Sequence, residues 1–142
     1  NPDQLAERLK KAKELASSLA KAAAASCATG NCCQRTIVIP YSRAPESAKH
    51  IDDAQAMGFP STLTYDANPV AAAARRRSST AGVTRVSGTQ PDEYPPAAFV
   101  ENGGFASVRN ISTRDNQVSG GIIGANLKGV PPGCRITIVT GP

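Results

Sequence analysis

Arg35-Thr36-Ile37-Val38-Ile39-Pro40-Tyr41-Ser42-Arg43-Ala44-Pro45-Glu46-Ser47-Ala48-Lys49-His50-Ile51 is where this chain passes from strand to helix. The β-branched run Thr36 to Ile39 favours an extended backbone, and Pro40 ends it because proline has no N–H for a ladder. Tyr41 to Ala44 turns the chain. Pro45 suits a first helical position, where the missing N–H has no partner to lose. A helix then runs from Glu46 to Met57 and stops at Gly58. Ala48, Ile51 and Ala54 give it an apolar stripe. Glu46, His50 and Asp53 share a neighbouring face at steps of four and three.

Upstream, Cys27 to Gln34 reads as a loop, and Pro2 to Ser26 as a helix capped by Asp3. Leu5, Leu9, Ala12, Ala16, Leu19 and Ala23 recur along one side of that helix, and Ala and Lys are good helix formers. Downstream, Ser61 to Tyr65 is a short strand. Asn68-Pro69 opens another helix with an amide cap and proline at its first position. Ser87 to Asp92 reads as a polar loop. Ala97 to Val100 and Ala106 to Ile111 read as strands flanking a Gly103-Gly104 turn. Asn116 to Leu127 is a helix whose Gly120, Gly121 and Gly124 suggest close backbone packing. Pro131-Pro132-Gly133 turns into a last strand, Cys134 to Thr140. Short strands mixed with helices, without regular βαβ alternation, give an α+β fold: a small, mostly antiparallel sheet packed with helices and preceded by an Ala/Lys-rich helix. The division expected is residues 1–34, helix and cysteine-bearing linker, then a main domain at 35–142.

The composition suits such a domain. The chain has 142 residues, 40% of them apolar but only 4% aromatic, with no tryptophan, so Val, Ile, Leu and Ala must form a small core that cross-links would help. The net charge of +5 favours polyanions, with solubility as the plain alternative. Of the four cysteines, Cys27, Cys32 and Cys33 cluster and Cys134 stands apart. Three complete pairings are open, with the adjacent Cys32 and Cys33 taking different partners. The spacing matches no common zinc pattern, and disulfides in an exported protein are the expectation. No run of about 20 apolar residues could cross a membrane. Residues 1–26 interleave lysine and glutamate, unlike a signal peptide, and the first residue is Asn1. A processed product or an excised domain is expected.

The chemistry gathers in Asp92-Glu93-Tyr94-Pro95-Pro96-Ala97, Glu101-Asn102-Gly103-Gly104, Ser107-Val108-Arg109, Asp115-Asn116 and Gly120-Gly121, with the lone histidine upstream in Lys49-His50-Ile51-Asp52-Asp53-Ala54. Paired acids with an amide nearby suit a hard divalent cation, which prefers oxygen ligands and keeps several waters. In their order these elements resemble the NucA/NucB family of bacterial non-specific deoxyribonucleases, from about Ile37 to Val139. The chain departs from that family in having Gln117 after Asn116 and Phe99-Val100-Glu101-Asn102 before the glycine pair.

The resemblance implies a nuclease domain at 35–142 that hydrolyses DNA with little sequence preference. It implies a divalent ion, Mg²⁺ or Mn²⁺, held by Asp92, Glu93 and Asn116. His50 or Glu93 would activate the water, since neutral imidazole titrates in the right range. Asp53 or Glu46 would orient the His50 ring, and Asp115 and Ser107 would support the site. Arg109 would grip the scissile phosphate, because guanidinium binds it bidentately. Arg75, Arg76 and Arg77 lie about 100° apart around a helix, so at most two can reach one DNA surface. The setting implied is a bacterial toxin domain with a cognate, acidic immunity protein, or else a plain secreted nuclease. A non-catalytic nucleic-acid-binding or structural module of the same fold is the rival from another class.

Overall fold

Strands β1 (Gln34–Pro40) and β5 (Arg135–Gly141) lie side by side and parallel, Gln34 opposite Arg135 and Pro40 opposite Gly141. A computed structural model describes residues 2–142; Asn1, the expected start of the N-terminal segment, lies outside the described residues. β2 (Thr62–Thr64) joins the other edge of β5 antiparallel, so β5 is the middle strand. The remaining strands, β3 (Thr89–Tyr94) and β4 (Ser107–Ser112), form a separate antiparallel pair. Among the described residues four helices complete the order: α1 (Pro2–Ala28), α2 (Pro45–Met57), α3 (Pro69–Thr80) and α4 (Thr113–Leu127). The fold is α+β behind an N-terminal helix, as expected. Two of the three strand pairings are antiparallel, while the longest is parallel.

The parallel pairing has a local anchor. Cys33 and Cys134 form a disulfide just ahead of the two strands, and Arg135 N–H donates to Cys33 C=O at 2.9 Å. Cys27 bonds Cys32 at the end of α1, so the adjacent cysteines do take different partners. One face of the sheet supplies the core: Ile37, Ile39, Ile136 and Ile138 are buried, while Val38 and Val139 on the other face are exposed. Ile51 and Ala54 of α2, with Phe59, Leu63, Tyr94 and Phe99, close this core. The helix boundaries follow the predicted signals. Asn68 Oδ1 accepts from Val70 and Ala71 N–H to start α3, and Gly58 ends α2 in the left-handed region at φ 114°.

Three local expectations change. Residues 89–94, assigned in part to a polar loop, are a strand, because β4 supplies their ladder partners despite the polar sequence. Residues 97–100, expected as a strand, instead form a turn, closed by Phe99 N–H on Pro96 C=O, that leads into one 3₁₀ turn, Val100–Asn102. Gly103 then takes φ 58°, and a Cβ there would collide with the Phe105 ring. The glycines of α4 are not packing positions: a Cβ on Gly120, Gly121 or Gly124 would meet nothing within 4 Å.

Helix α1 is held against the body. Ala12 is fully buried, and Arg8 donates to the backbone carbonyls of Ser79, at 3.0 Å, and Ala106, at 2.6 Å. Among the described residues no helix is long and apolar enough to cross a membrane.

Candidate active site

A cleft of about 380 Å³ opens between α3, β3 and α4. Strand β3 brings Gln90, Asp92 and Glu93 to it, α3 brings Arg76, and the loop after α3 brings Arg85. From α4 come Asn116, Ser119, Gly120 and Ile123, spaced as one helix face. Larger hollows lie beside the disulfides, about 580 Å³, and between α1 and β4, about 650 Å³, but neither is lined by an acid.

Glu93 is the most constrained acid of the cleft. Asn102 Nδ2 donates to its Oε1 at 3.1 Å, and Arg76 Nε lies 3.5 Å from its Oε2. Burial pushes its pKa above the ordinary carboxylate value, and the Asp92 charge adds to that; the Asn102 hydrogen bond and the Arg76 charge oppose it without cancelling it. Asn102 is itself fully buried and satisfied at both ends. Its Nδ2 also donates to Pro95 C=O at 2.7 Å, and its Oδ1 accepts from Ser79 Oγ at 3.0 Å and Gly104 N–H at 2.9 Å. Gly104, the second glycine after the 3₁₀ turn, therefore serves the amide that sets Glu93. Neither periodicity nor residue type singled out Asn102; its place before Gly103-Gly104 was the one available signal.

Asp92 lines the cleft and also turns one oxygen toward α2. Its Oδ2 lies 2.7 Å from His50 Nδ1, and His50 Nε2 lies 3.0 Å from Ser107 Oγ. His50 is 1% exposed and does not line the cleft, with both ring nitrogens committed. The expected orienting partners are elsewhere. Asp53 pairs with Lys49 at 2.7 Å and Arg109 at 3.0 Å, which hold its carboxyl below the usual range. Glu46 reaches across to Ser112 N–H at 3.0 Å. Helix spacing put three groups on one face, but β3 and β4 gave them different partners: Asp92 and Ser107 for His50, Arg109 for Asp53 and Ser112 for Glu46.

Glu46 and Asp115 link the site helices reciprocally. Asp115 Oδ2 accepts from Glu46 N–H at 2.6 Å and Ser47 N–H at 3.3 Å, supplying the cap that Ala44 lacks at the start of α2. Ser112 Oγ in turn accepts from Asp115 N–H at 3.2 Å to cap α4. Asp115 thus supports Asn116 by fixing the start of its helix. Asn116 Nδ2 donates to Gln90 Oε1 at 2.8 Å, tying α4 to β3 across the cleft.

Of the three consecutive arginines, the fold brings only Arg76 to the cleft. Arg75 is turned inward, donating to Ala97 C=O at 2.8 Å and Asp66 at 3.0 Å, while Arg77 is exposed outside the lining. Arg109 sits opposite Asp92 in the ladder but pairs with Asp53 and faces the hollow beside α1. Arg85 and Gln90, not singled out in the sequence, take cleft positions. Glu101 is structural: fully buried, it accepts from Thr64 N–H, Thr64 Oγ and Arg135 Nη1 at 2.6, 2.8 and 3.0 Å.

Among the described residues no three His, Cys, Asp or Glu side chains cluster as a metal cage. The cleft offers instead two carboxylates, Asp92 and Glu93, and two amides, Asn116 and Gln90. That donor set fits a hard cation such as Mg²⁺, which uses one or two carboxylates and keeps several waters. It does not fit zinc in a structural site, which takes nitrogen or sulfur ligands.

Fold and cleft together define a small disulfide-linked α+β protein with acids and amides at the floor of a cleft edged by arginine. No model of a known protein family matches the chain. It is 38% identical to the DNA-entry nuclease of Bacillus subtilis (strain 168) over 101 residues, covering 71% of this chain and 67% of that protein. The chain therefore belongs to the NucA/NucB-type nuclease family.

Proposed function

We propose that this nuclease is a divalent-metal-dependent endonuclease that hydrolyses DNA with little sequence preference. One observation carries the proposal: the paired acids Asp92 and Glu93 of β3 and the amide Asn116 of α4 line the same cleft as Arg76 and Arg85. The similarity to a DNA-entry nuclease supports DNA as the substrate.

Asp92 and Asn116 would hold the cation, Mg²⁺ or Mn²⁺, with Gln90 steadying Asn116. When bound, such an ion polarises the phosphate and stabilises the departing oxygen. Glu93 is better placed than His50 to take the proton of the attacking water. It opens on the cleft, and its raised pKa makes it a stronger base than an ordinary carboxylate. Its engagement by Asn102 and Arg76 favours this role over ligation. Arg76 and Arg85 contact backbone phosphates, which position a duplex without reading its bases. With 4% aromatic residues, stacking of unpaired bases contributes little.

The two disulfides suit an oxidising compartment and therefore export. Delivery as an antibacterial toxin, with an acidic immunity protein covering the basic cleft rim, is the setting we propose on the family resemblance.

Plasmid nicking with Mg²⁺ or Mn²⁺, and with EDTA, tests the activity. Glu93→Gln should lower the rate by about 10²-fold or more. Arg76→Ala should weaken DNA binding and flatten its salt dependence, and Arg77→Ala should leave both near wild type. A gel shift without cleavage under every metal condition would replace the enzyme by a non-catalytic binding module.

A further inference from the structure

We propose that Ser107 and His50 act as a positioning relay for Asp92: Ser107 Oγ donates to His50 Nε2, and the proton on His50 Nδ1 is donated to Asp92 Oδ2. The three side chains come from three elements, β4, α2 and β3, and meet in one line, at 3.0 Å and 2.7 Å. His50 is 1% exposed and Ser107 8%, so water does not compete at the ring. The direction of donation follows from the acceptors. A carboxylate has only lone pairs to offer, so Nδ1 must carry the proton that joins it at 2.7 Å. A neutral ring with its proton on Nδ1 has a lone pair on Nε2, and the freely rotating Ser107 hydroxyl is the donor that fits it.

The consequence falls on Asp92. One of its oxygens is fixed by the ring, which orients the carboxylate and leaves its other oxygen to the cleft. Outer partners of this kind govern how well a ligand holds a cation. Neither Asp53 nor Glu46 can take the role, because Lys49, Arg109 and Ser112 hold them elsewhere. The relay is a positioning device and takes no part in bond making. Its effect on cation affinity rests on the cleft function proposed above, whereas the proton placement does not.

His50 is the only histidine of the chain, so its ring nitrogens are read without assignment of other residues. In metal-free protein labelled with ¹⁵N-histidine, at pH 8, the expected spectrum shows one protonated and one unprotonated nitrogen. Couplings to the ring Hδ2 and Hε1 should identify Nδ1 as the protonated one. A protonated Nε2 overturns the relay. Calorimetric titration with Mn²⁺ alone then tests the consequence. Ser107→Ala should weaken Mn²⁺ binding by about tenfold, and Ser107→Thr, which keeps the hydroxyl, should recover most of it. Ser107→Ala that is folded by circular dichroism and binds Mn²⁺ as wild type also overturns it. Correct proton placement with no Mn²⁺ binding by the wild-type chain would instead count against the cleft function, so the two failures are separable.

Discussion

Replacing Asn102 by aspartate keeps the side chain's shape and reverses the hydrogen-bonding sense of one end. The Oδ1 end is unaffected: Ser79 Oγ and Gly104 N–H still meet an acceptor. At the other end, two donated bonds are lost, to Pro95 C=O at 2.7 Å and Glu93 Oε1 at 3.1 Å. Each such bond contributes about 1 kcal/mol net, and leaving a buried carbonyl without a donor costs about 1–3 kcal/mol more. Asn102→Asp should therefore destabilise the fold by roughly 3–5 kcal/mol at neutral pH. The introduced carboxyl can restore one donor by taking a proton, so its folded pKa lies above its unfolded value of about 3.9. The folded state then binds more protons than the unfolded one, and the penalty grows as pH rises through that window. Urea unfolding followed by far-ultraviolet circular dichroism at pH 5 and pH 8 measures both effects. A loss under about 1 kcal/mol, or one of equal size at the two pH values, would refute the placement of Asn102 as a donor to Pro95 and Glu93.

The Cys33–Cys134 bridge closes a loop of sequence separation 101 and the Cys27–Cys32 bridge one of 5; loop-closure entropy then predicts losses of about 4–5 and about 2 kcal/mol when each pair is replaced by serine, measured by the same unfolding assay. On α4, Gly121→Ala should stabilise the protein by about 1 kcal/mol with nicking unchanged, since the new methyl meets open space away from the cleft lining. Gly120→Ala should give the same gain in stability but slower nicking, because Gly120 lines the cleft.

Local chemistry made much of this protein legible from sequence. The Asn68-Pro69 start of α3, the Gly58 stop of α2 and the β-branched runs of β1 and β5 are signals confined to a few neighbouring residues, and each is where the fold uses it. The order of motifs from His50 through Asp92-Glu93 to Asn116 pointed to the nuclease family for a related reason: a site must present fixed residue types, whatever surrounds them. Tertiary structure alone decided who meets whom. Asp92, not Asp53 three residues away, is the partner of His50 across 42 positions, and Ser107 closes the ring's other side across 57. Residues 89–94 became a strand because β4 supplied the ladder, which no periodicity within a polar segment announces. Arg76 rather than Arg75 or Arg77 reached the cleft because the packing of α3 turned one neighbour inward and the other to solvent. Propensity and capping act over one or two turns of chain, whereas strand pairing, disulfide choice and the burial of Asn102 depend on distant segments whose mutual placement a local pattern does not encode.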